Sequence, residues 1–407
     1  MAGVGSTAGV AGVAGVAGVA GVAGVAGVAG VAGVAGVSQV MGASGVGNVS
    51  ALGLSGAPIE GLLTHREAIA DAWKGASAQV GALTPNLPEH LRRCPPDIRA
   101  WSLDQALLSE LQVRYDQRAT ATGKPVHACS VWHVSVDPTA VAPSATVGKL
   151  VEITCPPIET FRAQLDFVEA YADLRGDRAA EIASQIGPQG AYWETVLNLR
   201  PWQHRHTLEL ALLTLRISNA LMQRIKLVFS TRRPVELSPQ IQPMLPTPGH
   251  GAFPSGHANE AFAVATVLGA LASNAKASSA SAWPAEHAQS ILYRQAYRIA
   301  TNRTVAGLHF PVDHVAGQMQ GLSVAQYLLA RCGARPGNGL ATYVFDGRAY
   351  GPKVEHEYEK QFGADGTTRL GPGGALPGYL SATALGTTIP VSPLLKWLWD
   401  AAVAEWA

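Results

Sequence analysis

Along the middle of the chain, apolar residues recur with the spacing of a helix. Between His206 and about Thr231, Leu208, Leu212, Leu215 and Met222 follow at four-, three- and seven-residue intervals, while Glu209, Arg216 and Gln223 fall elsewhere. That pattern predicts an amphipathic helix with one buried stripe. The stretch from Phe161 to Ile186 is rich in Ala, Glu, Leu and Arg and closes on Gly187-Pro188, so it reads as another helix. A third is expected to start just after Pro254-Ser255-Gly256-His257 and to end near Ala272; its apolar run from Ala261 is too short for a membrane span. Helices are also predicted over Ala285 to Ala300 and from Pro311, which suits a first helical position, towards Arg331. Pro393 to Trp406 predicts a short terminal helix, whose Trp397, Trp399 and Trp406 suit packing or a dimer contact better than a cofactor.

The flanking sequence is less periodic. Glu60 to about Gln112 suggests short helices broken at Pro85, Pro88 and Pro95-Pro96, His127 to Pro157 loops or short strands, and Gly333 to Gly386 loops. The expected fold class is therefore all-α, a helical bundle with function on helix ends that face one another. Ala-Gly-Val triplets run from about Ala8 to Val37, and low complexity continues through Gly56. The tract is uncharged and long enough to cross a bilayer. However, each helical Gly costs about 1 kcal/mol relative to Ala, and no basic cluster or aromatic belt flanks it. It reads as a disordered tail, with membrane contact not favoured. The expected organisation is a tail over 1–56, an accessory region over 57–160 and a catalytic domain over 161–407, with its motif core at 200–330.

Composition narrows the function classes. With 30 Lys and Arg against 29 Asp and Glu, the net charge of +1 offers no general field for nucleic acid or an anionic membrane, so any attraction for an anion is local. At 407 residues the chain can bury a core without disulfide or metal staples. Cys94, Cys129, Cys155 and Cys332 are scattered and form no metal or redox motif. His204-Arg205-His206 lacks cysteine or carboxylate partners nearby and is expected to be a surface feature. There is no evident export signal, which favours the cytoplasm.

Three elements carry chemistry. Lys226 and Arg233 are seven residues apart, so on one continuous helix ended by Pro234 both would project from the same face. Taken alone, such a pair is ordinarily solvated surface. Pro254-Ser255-Gly256-His257 leads into a helix whose free amides and positive dipole end suit an oxyanion. There Ser255 either caps the helix or donates its hydroxyl, Gly256 lets the backbone come close, and His257 can exchange a proton near neutrality. Finally, Asn302-Arg303 is followed by His309 and Asp313; a carboxylate four residues on can fix the imidazole tautomer and free the other nitrogen as nucleophile or metal ligand.

In this order, KLVFSTRRP from Lys226, PSGH from Pro254 and NRTVAGLHFPVD from Asn302 resemble the signature of the phosphatidic acid phosphatase type 2 / vanadium-dependent haloperoxidase superfamily. Asn302 stands where the signature usually has serine. The resemblance implies an all-helical fold in which Lys226, Arg233, Ser255, Gly256, His257, Arg303 and His309 surround phosphate or vanadate. By similarity, His309 attacks phosphorus, His257 protonates the leaving alcohol and then activates water, and Asp313 orients His309. In a phosphatase no cofactor is needed and the partner is a small phosphate ester. In a haloperoxidase vanadate is the cofactor, with His309 as its ligand, and halide and peroxide are the partners. HFPVD and the short separation from PSGH to Arg303 look phosphatase-like, whereas His250, seven residues before His257, matches a histidine of algal-type bromoperoxidases as a second-layer residue. A non-catalytic anion-binding or assembly role stays open beside both, as does a homo-oligomer. Membrane lipid phosphatases of the superfamily have six spans, but the helices here carry Glu209, Arg216 and Arg224, which favours a soluble catalytic domain.

Overall fold

The computed structural model describes residues 87–119, 125–137, 144–187, 189–276, 285–358 and 376–406. The expected tail, and the expected helices before residue 87, lie outside the described residues. After a 3-10 turn at Pro88–Arg93 come α1 (Pro96–Leu108) and the strands β1 (Leu111–Ala119), β2 (Pro125–Asp137) and β3 (Ser144–Thr154). Next are α2 (Ile158–Ala163), α3 (Leu165–Tyr171), α4 (Arg175–Ser184), α5 (Gly190–Leu197), α6 (Arg205–Phe229), α7 (Pro234–Leu237), α8 (Gly256–Lys276), α9 (Ala285–Val305) and α10 (Pro311–Arg331). The chain closes with β4 (Ala341–Asp346), β5 (Leu380–Ala384) and α11 (Pro393–Ala404).

The expected all-α class is corrected: the protein is mostly helical but carries a five-stranded mixed sheet of order β1-β2-β3-β4-β5. Its pairs are antiparallel except β3 with β4, which run parallel with Val151 beside Tyr343. Strands from either side of residue 160 thus share one sheet. In β4 the alternation is plain, since Ala341, Tyr343 and Phe345 are buried and the residues between them are not. The sheet lies on α10, where Ser323 Oγ donates to Leu150 O (3.0 Å) and Tyr327 OH meets His133 Nδ1 (3.0 Å).

Helix α10 is the axle of the fold. Of its 21 residues only Gln326 escapes burial, as expected for a helix that is covered on all sides. Against its other flank α8 crosses very closely: a methyl group at Gly317 would overlap Ser255 O, and one at Gly321 would overlap Asn259 O. Glycine is required at both positions by this approach of backbone to backbone. Among the described residues no helix is long and apolar enough to cross a membrane.

Two other expectations change. The helix expected over Phe161 to Ile186 is broken into α2, α3, a 3-10 turn at Ala172–Leu174, and α4. The break lets Phe161 pack on Phe253 and Phe310 while Ile182 joins a separate apolar cluster with Val305, Ala306 and Leu308. His204 and His206 are not surface features. His204, the residue before α6, is buried, accepts from Arg200 N through Nδ1 at 3.0 Å and packs on Trp406, and the half-buried His206 has its Nδ1 2.8 Å from Glu405 Oε1, with its ring edge-on to Trp397. Trp397 and Trp406 therefore pack against the start of α6.

Candidate functional site

Lys226 sits in the last turn of α6, which stops at Phe229 because Ser230 turns left-handed (φ 44°) while its N–H caps Lys226 O at 2.8 Å. Arg233 is then the extended residue before α7, and Pro234 opens that helix rather than closing the previous one. The expectation of one shared helix face is corrected, yet the two cations still converge, through the loop 250–252. Lys226 Nζ donates to Gly251 O (2.9 Å) and Ala252 O (2.8 Å), and Arg233 Nε and Nη2 donate to His250 O (3.3 and 3.2 Å). His250 Nδ1 also lies 3.1 Å from Arg233 Nη2.

Arg233 Nη1 reaches further, to Leu308 O and to His309 Nε2, both at 2.9 Å. A guanidinium can only donate, so His309 Nε2 must offer its lone pair. The single ring proton is therefore on Nδ1, which donates to Asp313 Oδ2 at 2.8 Å. Asp313, at the third position of α10, also accepts from Phe310 N at 3.0 Å, so the same carboxylate caps the helix and orients the imidazole. Burial pushes the Asp313 carboxyl up to about 7, against the pull of the Phe310 N–H and of Lys226 and Arg233. Burial, then Arg233 and Lys226, hold His309 well below the usual imidazole range, which keeps it neutral.

Ser255 is fully buried at the start of α8 and is tied to α10 by its N–H on Asp313 O (2.8 Å). Its Oγ accepts a long cap bond from Ala258 N (3.4 Å), and Gly256 follows as the first helical residue. His257 turns its Nε2 onto Gln185 O at 2.9 Å; a carbonyl only accepts, so Nε2 carries the proton. Burial, followed by Arg303, pushes His257 down to about 3. Arg303, in the last turn of α9, donates through Nη2 to Gln185 Oε1 (2.9 Å) and Ile182 O (3.1 Å), while its buried Nε has no partner among the described residues. Burial pushes Arg233 and Arg303 down to about 10 and holds Lys226 well below the usual amine range.

Every candidate from the three motifs thus lies on one of four converging pieces: the end of α6 with the segment leading into α7, the start of α8, the end of α9, and the start of α10. Residues 208–335, which span all four, match the sequence profile of the PAP2 superfamily. They form a PAP2 superfamily domain. No curated protein matches the chain. In the PAP2 superfamily phosphatases are typical, so the match points to phosphatase-type chemistry. Among the described residues there is no group of three or more His, Cys, Asp or Glu able to hold a metal ion. An oxyanion, by contrast, suits the PAP2 domain's donor set of one ammonium, two guanidinium groups, a serine hydroxyl and the start of a helix.

One residue that contacts this set was not found from sequence. Gln185 precedes the PAP2 domain, at the end of α4, and touches both His257 and Arg303. No motif, periodicity or charge marked it, because its contacts come from residues far along the chain.

Proposed function

We propose that this protein hydrolyses a phosphate monoester through a phosphohistidine formed on His309 Nε2. The observation that carries the reading is the ring geometry of His309: Nδ1–H is committed to Asp313, and Nε2 presents its lone pair beside Arg233. In the first step Nε2 attacks phosphorus as the ester P–O bond breaks, and the leaving alkoxide takes a proton from His257. In the second, His257 accepts a proton from water, the water oxygen attacks phosphorus, and the P–N bond breaks to return His309 and release phosphate. Lys226, Arg233, Arg303, Ser255 Oγ and the amides at Gly256 would hold the equatorial oxygens. Burial and Arg303 depress His257, and a phosphate dianion among these cations opposes that shift, so substrate itself would bring the acid into its working form.

The test is metal-free hydrolysis of p-nitrophenyl phosphate by the full chain and by His309→Ala, with rapid quench in base to trap acid-labile phosphohistidine. Trapped phosphate in the parent and none in the variant supports the reading; hydrolysis surviving in His309→Ala overturns it. A second reading, vanadium-dependent halide oxidation, is favoured by His250, which lies against Arg233 and has a buried Nε2 without a partner among the described residues. The same donors fit vanadate, with His309 Nε2 as the ligand, and bound vanadate would supply peroxide activation. Bromination of a dye after vanadate loading, without ester hydrolysis, would select this second reading.

A further inference from the structure

Resting on the oxyanion-site reading, we infer that Gln185 is the positioning residue of this site, holding Arg303 and His257 in place while leaving the arginine's positive charge free for the anion. Gln185 is fully buried at the C-terminal end of α4, where the last carbonyls of a helix have no partner within it. Two of those carbonyls, Ile182 O and Gln185 O, face the site and accept from Arg303 Nη2 (3.1 Å) and His257 Nε2 (2.9 Å). The negative end of the helix dipole therefore faces a guanidinium and an imidazole that has to carry a proton.

The side chain adds what the backbone alone cannot. Its Oε1 accepts from both Arg303 Nη2 (2.9 Å) and Asn302 Nδ2 (3.0 Å), and its Nε2 donates to Glu181 Oε1 (3.0 Å). Glu181 in turn is gripped by Arg298 at 2.7 Å, so the amide can present only its oxygen to Arg303. Asn302 completes the bracket, because its Oδ1 accepts from Arg178 Nη1 at 3.1 Å. This gives the departure from the family's usual serine a physical account: the asparagine is the second donor that pins Gln185. A carboxylate in place of the Gln185 amide would neutralise Arg303 before any substrate arrived. The neutral amide orients the fork and leaves its charge intact.

The experiment is calorimetric titration of orthovanadate into the full-length protein, Gln185→Glu, Gln185→Leu and Asn302→Ala, with kcat and KM for p-nitrophenyl phosphate measured across pH. Gln185→Leu is expected to weaken vanadate binding by about tenfold. Gln185→Glu, which keeps shape and acceptor, is also expected to weaken it and to move the His257 limb of the pH profile upward. A purely structural role would not produce that pH shift. Vanadate affinity and pH profile unchanged in Gln185→Glu would overturn the charge argument, and parent-like affinity in Gln185→Leu would overturn the positioning role. If Gln185→Leu does not fold, Asn302→Ala decides, since loosening Gln185 must then weaken vanadate severalfold. Absence of vanadate uptake by the parent chain would instead remove the oxyanion site itself, and this inference with it.

Discussion

Two sets of buried cations in this molecule are treated in opposite ways. Arg99 is paired with Glu209 at 2.7 and 2.5 Å and Arg331 with Glu110 at 2.8 Å. Lys226, Arg233 and Arg303 are equally buried, but among the described residues their side chains donate only to carbonyls, an amide oxygen and imidazoles. A buried charge without a direct ion pair is costly, and Asp313, which acts on both Lys226 and Arg233, is hydrogen-bonded to His309 instead. The first set holds the fold together. The second feels carboxylates nearby, Asp313 and Glu260 at Lys226, Asp313 and Glu236 at Arg233 and Glu181 at Arg303, but among the described residues it forms no direct ion pair, which leaves room for a polyanionic ligand.

That contrast can be broken or sharpened by substitution. The largest effect is expected from His309→Ala, which removes the proposed nucleophile beside Arg233; kcat for p-nitrophenyl phosphate should fall by about 10⁴-fold or more with the circular dichroism spectrum kept. Arg99→Ala should leave the half-buried Glu209 unpaired, together with Leu91 O and Cys94 O, and cost about 3 kcal/mol in urea unfolding, while kcat of the folded protein stays near the parent value. Arg303→Ala should do the reverse, lowering kcat/KM by about 10²–10³-fold with an unchanged or raised melting temperature. Equal destabilisation by Arg99→Ala and Arg303→Ala would erase the distinction between the two sets.

The smallest expected effect lies outside the site. Burial, then Arg331, pushes His133 down to about 4, so the native state keeps it neutral while the unfolded chain protonates it near 6.5. Its contribution is present above pH 6.5 and is lost as pH falls towards 4, by at most about 1.4 kcal/mol per pH unit. Urea midpoints compared between the parent and His133→Gln over that range check this: the variant's profile should be flatter.

The site was far more legible in the sequence than the fold around it. Lys226, Arg233, Ser255, His257, Arg303, His309 and Asp313 lie in three short motifs whose order and spacing match a signature, and the structure brings them near one another although Lys226 and Arg233 do not share the helix face that their spacing predicts. The sequence suggests loops or short strands over His127 to Pro157, where β2 and β3 lie, but the rest of the sheet was hidden for a different reason. In β1 only Leu111 is buried and six of the nine residues are exposed, so the strand shows almost no apolar alternation. β4 does alternate, but six residues set among glycines and prolines read as loop. Gln185 was illegible because an amide at a helix end becomes meaningful only when residues 257 and 303 fold against it.

The crossing at Gly317 and Gly321 has a mechanical consequence. One helix of the pair begins with Ser255-Gly256-His257, and the other begins just after His309 and carries Asp313, so the two are opposite jaws of a vice whose gap is set by main chain resting on main chain. At these two glycines the nearest atoms are main chain, joined at Gly317 by the Ala258 methyl. A single added methyl would wedge the jaws apart, and a shift on the order of 1 Å is enough to slow a reaction about a hundredfold without unfolding anything.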